Sequence, residues 1–289
     1  MSVIAVSENL GSLGVEIGRT AAGWLGYEFA ERDIINKAAD RFGADVAQLS
    51  HAVEERPSVV DRLNAAQRRF AQYIAATVQE MAARDDIVLV GLASTIILGR
   101  MPHTLRARVT APEARRAQRV AQAHGLDPAA ALERVRDSDR ERGSRVRFLY
   151  RVDLDDPLLY DVVINTDRLD VEEGAGLVRQ AAQHPRFRST DESRRVVSDR
   201  SLVAQARAVL AADPVTRSKS ISVSCADGVV SLGDRVEEWP VRDAAERALA
   251  RVPGIREVRF LSLGAIDRPG TEDELFGDAY HWGGFGPDR

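Results

Sequence analysis

The chain has 289 residues and a mass of 31.7 kDa, too long for one average domain and about right for two. Hydrophobic residues make up 44% and charged residues 29%, a globular composition that excludes wholesale disorder, collagen-like repeats and a membrane-embedded protein. The net charge of −4 gives no global pull toward nucleic acid or anionic lipid. One cysteine, Cys225, excludes internal disulfides and cysteine-rich metal sites.

No apolar run approaches the ~18 residues of a membrane span, so the chain is read as not transmembrane. The N-terminal MSVIAVSENLGSLG lacks the basic flank and long apolar core of a secretory signal, and cytoplasm is the expected location. Only Lys37 and Lys219 among the 40 basic residues are lysines, the mark of GC-rich codon usage. Chemistry that requires a lysine therefore has two positions to draw on.

Val3–Val6 is an apolar, mostly β-branched run that ends in Ser7 and a glycine-bearing turn. Ile17, Ala21, Trp24 and Leu25 follow at helical spacing, with Gly26 suited to the C-terminal cap. Tyr27–Phe29 reads as a short second strand, and helical patterns dominate to about Ala83 with an interruption near Pro57. Ile87–Val90, Leu105–Val109 and Val162–Ile164 are further strand candidates. Strands alternating with helices predict a parallel sheet covered on both faces.

Residues 183–199 carry Pro185 and several arginines without apolar periodicity, and read as a linker between 1–182 and a second unit at 200–267. In that unit Leu202, Ala206, Val209 and Leu210 share a helix face. Ile221, Val223 and Cys225 alternate into an Asp227-Gly228 hairpin turn and Val229–Leu232. Val241, Ala245, Ala248, Leu249 and Val252 form a second helix face, and Val258 and Phe260 mark a third strand. The expectation is an αββαβ unit. The tail, 268–289, is rich in glycine, proline and acids and is expected to be disordered, with Phe276, Tyr280, Trp282 and Phe285 as its only large anchors.

The first turn, Ser7-Glu8-Asn9-Leu10-Gly11-Ser12-Leu13-Gly14-Val15-Glu16, joins a strand to a helix, the arrangement that offers backbone N–H groups and a helix N-terminus to a phosphate. Against the signature G-x-x-x-x-G-K-[ST], Gly14 takes the last glycine's place, Val15 the lysine's and Glu16 the hydroxyl's.

With its context, the stretch from Val3 to about Gln183 resembles the cytidylate-kinase-like family of P-loop nucleoside monophosphate kinases. Family members read S-R-x-x-G-S-G-G-x-E-I at the first turn, of which Ser7, Gly11, Ser12, Gly14, Glu16 and Ile17 are kept. Gly26–Phe29 with Glu31-Arg32-Asp33-Ile34-Ile35 is similar to the family's approach to its substrate-binding helices, with Glu54-Glu55-Arg56-Pro57 at a suitable distance. Asp139-Arg140-Glu141-Arg142 and Asp155–Thr166 match the family's lid and last strand.

The resemblance implies a five-stranded parallel sheet with helices on both sides, a mobile lid, and phosphoryl transfer from ATP with Mg²⁺ to CMP or dCMP. It implies that Ser7, Gly11, Ser12, Gly14 and Glu16 meet the nucleotide phosphates. Arg140, Arg142 and Arg147 would close over the transferring group. Arg32, Asp33, Asp139 and Arg142 would hold the acceptor. The lid arginines Arg136 and Arg145 have a plain alternative as solvated helix positions.

Three positions depart from the family pattern where phosphate charge should be met. Glu8 replaces an arginine, Val15 stands where a basic residue often sits, and Leu92 replaces the arginine of a Gly-Arg-Gly turn. Leu13 also replaces a glycine. Each lost electrostatic donor costs ~2.7–4 kcal/mol, roughly 10²–10³ in rate. Two losses from an ordinary kinase turnover of about 1–100 s⁻¹ leave on the order of 10⁻³ s⁻¹ or below. Arg19 and Arg100 are the nearby basic residues that compensation could use. The alternative reading is a non-catalytic pseudokinase, retained as a nucleotide-responsive or structural module.

Ser198–Asp267 resembles the BON domain, on Ile221-Ser222-Val223, Asp227-Gly228-Val229-Val230, Leu232-Gly233 and Arg251-Val252-Pro253-Gly254-Ile255. That resemblance implies a binding module for a protein or phospholipid surface, without catalytic residues. Its basic residues, Arg207, Arg217, Lys219, Arg235, Arg242 and Arg247, are interleaved with acids. His51, His103, His124, His184 and His281 are scattered, no metal site is expected, and no Ser-His-Asp or Cys-His constellation is legible. Phe70 and Tyr73 read as packing groups.

Overall fold

Runs of apolar residues too short for helices become the buried strands of a parallel sheet. The structure, a computed structural model, describes residues 2–31, 33–54, 65–234, 236 and 238–261. Arg32, Glu55-Arg56-Pro57, Arg235, His281 and the tail at 268–289 lie outside the described residues.

The strands β1 (Val3–Glu8), β2 (Glu28–Ala30), β3 (Ile87–Val90), β4 (Thr104–Thr110) and β5 (Val162–Asn165) form a five-stranded sheet in the order β2-β3-β1-β4-β5. Every pair is parallel, as expected, with Val3 of the central strand opposite both Ile87 and Thr104. Successive side chains point to opposite faces. Val3, Ala5, Ile87 and Leu89 therefore pack with Ile74 and Met81 of α4 (Ala65–Ala82) and with α2 (Asp33–Phe42). Ile4, Val6, Val88 and Val90 pack on the other side with α1 (Gly14–Leu25) and α8 (Val171–Ala182). A β-carbon at Gly18 would lie 2.8 Å from Val90 Cγ2, which is why a glycine faces the sheet in α1. Between these elements come α3 (Val46–Glu54), α5 (Ser94–Leu98), α6 (Glu113–His124) and α7 (Pro128–Tyr150). Phe42 stacks on Tyr73 at 4.4 Å and Phe70 meets it edge-on, so these aromatics are core packing.

The C-terminal unit has the expected order of elements. After α9 (Asp191–Ala212), β6 (Ile221–Ala226) and β7 (Val229–Asp234) pair antiparallel, α10 (Trp239–Leu249) follows, and β8 (Glu257–Phe260) pairs parallel to β7. Asp227 and Gly228 both have positive φ, 50° and 76°, the backbone that a two-residue hairpin demands. Ala206, Leu210, Val241, Ala245 and Leu249 cover Val223, Val230 and Leu232. Cys225 donates to Asp199, and burial pushes its thiol up to about 12, which disfavours the nucleophilic thiolate.

One sequence expectation is corrected. Residues 183–199, read as a linker, hold a 3₁₀ turn at Pro185–Phe187 and the first residues of the 22-residue helix α9. Thr190 and Ser193 cap that helix reciprocally: the Thr190 N–H donates to Ser193 Oγ at 2.8 Å and the Ser193 N–H to Thr190 Oγ1 at 3.1 Å. Val197 and Ala208 belong to the same core as Phe70 and Ile74, while Ala206 and Leu210 belong to the core of the C-terminal unit. The buried face of α9 is thus divided between two cores, and no single apolar stripe marks it. Arg41 of α2 reaches both Gln205 of α9 and Glu80 of α4.

A second correction lies at the amino ends of the strands. His103 Nε2 is 3.0 Å from Asp85 Oδ1, and His103 Nδ1 is 2.7 Å from Ser193 Oγ. The fold thus assembles a Ser-His-Asp set that spacing did not reveal. The imidazole is 1% exposed and the hydroxyl also serves the helix cap, so the set docks α9 to the sheet rather than meeting a substrate.

Candidate functional site

The carboxyl ends of β1, β3, β4 and β5 open on one side of the sheet, where ligands of open α/β folds bind. β1 ends at Glu8 and α1 starts at Gly14, leaving the turn between them. Gly11 and Leu13 hold positive φ, 78° and 68°. For Leu13, a branched residue, that backbone costs about 1–2 kcal/mol. Three loop carbonyls are held from outside. Arg116 Nη1 donates to Leu10 O at 3.4 Å, Arg119 Nη1 to Gly11 O at 3.1 Å, and Thr166 Oγ1 to Ser12 O at 2.9 Å. The Ser12 hydroxyl and Asn9 Oδ1 are buried without a hydrogen-bond partner; the hydroxyl can donate to a ligand oxygen, whereas the amide oxygen can only accept.

Glu8 turns its side chain into this loop. A β-carbon at Gly14 would lie 2.5 Å from Glu8 Cβ and 3.0 Å from Glu8 Oε2, so only glycine fits there. Arg142 pairs with the carboxylate at 3.5 Å while also donating to the Glu8 carbonyl. Burial raises the Glu8 pKa above its ordinary value, outweighing the opposite pull of Arg142.

Beside the loop lies a cleft of about 840 Å³, roofed by α7. Its lining includes Asn9, Arg108, Thr110, Arg116, Asp139, Arg140, Arg142, Ser144, Arg147, Asp153 and Asp155. Arg108 Nη1 donates to Ser7 Oγ at 2.8 Å, and its Nη2 pairs with Asp155 at 3.2 Å. Arg116 forms a two-pronged pair with Asp139 at 2.7 and 3.1 Å, and Asn9 Nδ2 donates to the same carboxylate at 2.8 Å. Arg140 pairs with Asp137 and Arg147 with Asp153, both toward solvent. A β-carbon at Gly91 would be 4.0 Å from Arg142 Nη2, so that guanidinium spans the ends of β1 and β3.

Among the residues singled out from sequence, Asp139, Arg140, Arg142 and Arg147 converge on the cleft, and Ser7, Gly11, Ser12 and Gly14 form the adjoining loop. Glu16 is exposed on the first turn of α1, and Asp33 is exposed at the start of α2, away from the cleft lining. Arg136 pairs with Glu113 at the surface, whereas Arg145 is buried in α7. Arg19 lies over Phe29 and pairs with Glu31, and Arg100 is exposed; neither lines the cleft. Leu92, with φ 51°, packs against the apolar core.

Arg108, Arg116 and Arg119 are site residues that sequence reading passed over. For Arg108 a signal was present. In β4, Arg106 and Arg108 alternate with Leu105, Ala107 and Val109, and charges at alternate positions of a central strand must find partners.

A five-stranded parallel sheet, a strand–loop–helix turn and an arginine-rich roof together define the P-loop kinase class of α/β fold. The model of the cytidylate kinase-like family matches residues 3–168, and the chain belongs to that family. It is 28% identical over 156 residues to a cytidylate kinase of Methanopyrus kandleri, covering 51% of this chain and 75% of that one. It is 27% identical over 180 residues to a cytidylate kinase of Natronomonas pharaonis, covering 62% and 88%. The crystal structure of an uncharacterized protein from Eubacterium ventriosum superposes with a TM-score of 0.51 at 17% identity, covering 64% of this chain and 99% of that one. That likeness speaks for the fold alone. Among the described residues no helix is long and apolar enough to cross a membrane.

Proposed function

We propose that this chain binds ATP- and CMP-type nucleotides in the cleft between the phosphate loop and α7, and that its phosphoryl transfer to a pyrimidine monophosphate is strongly attenuated. The observation that carries the reading is the convergence of Arg108, Arg116, Arg140, Arg142 and Arg147 beside a loop whose buried Ser12 hydroxyl has no hydrogen-bond partner. Guanidinium forks match the planar, paired oxygens of phosphates and carboxylates, and a run of them in one cleft suits a polyanionic ligand.

In this reading Ser7, Gly11, Ser12, Gly14 and Glu16 serve the donor phosphates. Arg140, Arg142 and Arg147 serve the transferring group, and Arg32, Asp33, Asp139 and Arg142 serve the acceptor. Mg²⁺ would arrive with ATP and shield its phosphate charge, with no metal held by the protein itself. Glu8 within the loop, Val15 without a charge and Leu92 turned to the core support attenuation.

The test is ATP consumption with Mg²⁺ and CMP, dCMP, UMP or AMP, alongside calorimetric binding of each nucleotide. Binding with turnover on the order of 10⁻³ s⁻¹ or below is expected. Acceptor-dependent turnover above ~0.1 s⁻¹, near the ordinary kinase range and abolished by Arg142→Ala, refutes attenuation. Absence of binding refutes the nucleotide reading.

A second reading concerns the αββαβ unit. We propose that residues 200–267 act as a BON-type module for a protein or phospholipid surface, joined to the kinase-like unit 1–182 in a cytoplasmic protein. The division of α9 between both cores favours coupling over a loose tether.

A further inference from the structure

We propose that Glu8 is an internal ligand of the phosphate loop, an autoinhibitory contact that fills the helix end of the loop and holds α7 down through Arg142. The inference rests on the nucleotide-binding reading above and adds what the loop holds before a nucleotide arrives. The N-terminus of α1 is the natural seat for a phosphate, because the backbone N–H groups and the helix dipole both favour negative charge. A carboxylate offers the same donors the same chemistry.

The geometry places Glu8 in that seat. Its side chain lies directly across Gly14, close enough that no β-carbon would fit there. Arg142 reaches from α7 to both the carbonyl and the carboxylate of Glu8, so the arginine best placed to cover a transferring phosphoryl group is already engaged.

Two further observations make the contact displaceable. Burial is the largest influence on Glu8 and opposes its charge, so the fold holds this carboxylate against a desolvation penalty that Arg142 only partly offsets. The Ser12 hydroxyl and Asn9 Oδ1 stay orphaned with Glu8 in place. A polyphosphate brings more charge and more oxygens than one carboxylate, and with bound water it can meet those groups too. The loop thus has two mutually exclusive occupants, and a nucleotide gains it by expelling Glu8 and freeing Arg142.

The experiment uses the full chain and its Glu8→Gln and Glu8→Ala variants, with inorganic pyrophosphate and ATP–Mg²⁺ as probes. Calorimetry measures affinity, and hydrogen exchange follows the amides of residues 11–15 without any ligand. Glu8→Gln is nearly isosteric, and Glu8→Ala removes the residual hydrogen bonding of the amide. Both variants should bind pyrophosphate ~10-fold tighter or more, on the scale of removing one buried charge from a helix terminus. Both should also exchange faster at residues 11–15 when unliganded. Unchanged exchange together with unchanged affinity overturns the inference. Faster exchange in variants that bind neither probe sustains the internal contact and refutes the nucleotide reading instead.

Discussion

Replacing Asp139 by alanine removes one half of the pair that ties α7 to α6. The Arg116 side chain is 7% exposed and that of Asp139 29%. Two unit charges near 4 Å interact by about 4 kcal/mol at an effective dielectric constant of 20. Removing one partner of a buried pair costs about 3–5 kcal/mol, because the remaining charge is stranded. Two features lower that figure here: Asp139 is partly solvated, and Arg116 keeps Ala111 O at 2.9 Å and Leu10 O at 3.4 Å. A loss of about 2–3 kcal/mol follows, which for a chain of this size lowers Tm by about 4–12 °C. Thermal unfolding followed by circular dichroism measures it. The double variant Asp139→Ala/Arg116→Met should recover much of the loss, since a thioether has no charge to strand. An Asp139→Ala protein within about 0.5 kcal/mol of the parent, with no coupling to Arg116→Met, would refute the reasoning.

Three further outcomes are expected. Gly11→Ala sets a β-carbon 2.7 Å from the Arg116 carbonyl at a φ of 78°, and should destabilise by about 1–3 kcal/mol in urea titration; an unchanged midpoint would show that the loop does not abut α6. Burial lowers the pKa of His103 below its ordinary 6.5, against the pull of Asp85 and with a smaller push from Arg194. The folded state then holds fewer protons than the unfolded one, so the contribution of His103 is present above pH 6.5 and lost as pH falls. Urea midpoints across that range should drop on acidification in the parent and flatten in His103→Gln, and a rise on acidification contradicts this. Truncation after Arg188 uncovers the face of α4 that α9 buries, and should yield a chain that aggregates or melts well below the parent; an unaltered melting curve would mean that α9 is dispensable to the first core.

Sequence alone reached the strands because parallel strands buried on both faces must be continuous apolar runs, as Val3–Val6 and Ile87–Val90 are. The hairpin was legible because Asp227-Gly228 meets a backbone requirement few other pairs satisfy. The start of α9 escaped because Val197 faces one core and Leu210 the other, which cancels any single period along the helix. Its Thr190–Ser193 cap was the signal left to read. At the site, the lid arginines stood out through neighbouring words of sequence. Arg108, Arg116 and Arg119 were lost among many arginines, since which of them converge is decided by tertiary contacts. Glu8 was visible as a foreign charge, but repulsion of phosphate was all that spacing implied; that its carboxylate fills the loop required the geometry at Gly14.

The division of α9 also bears on how the chain is made. Domains of a long chain generally fold one after another as they leave the ribosome. Here the first core is incomplete until Val197 and Ala208 have been synthesised, well beyond the last strand of the five-stranded sheet at Asn165. The helix that closes the first core is also the opening element of the second. Nascent chains that stop short of α9 must keep the α4 surface open, so translation through this helix sets the moment at which the first core can close and commits the second to form beside it.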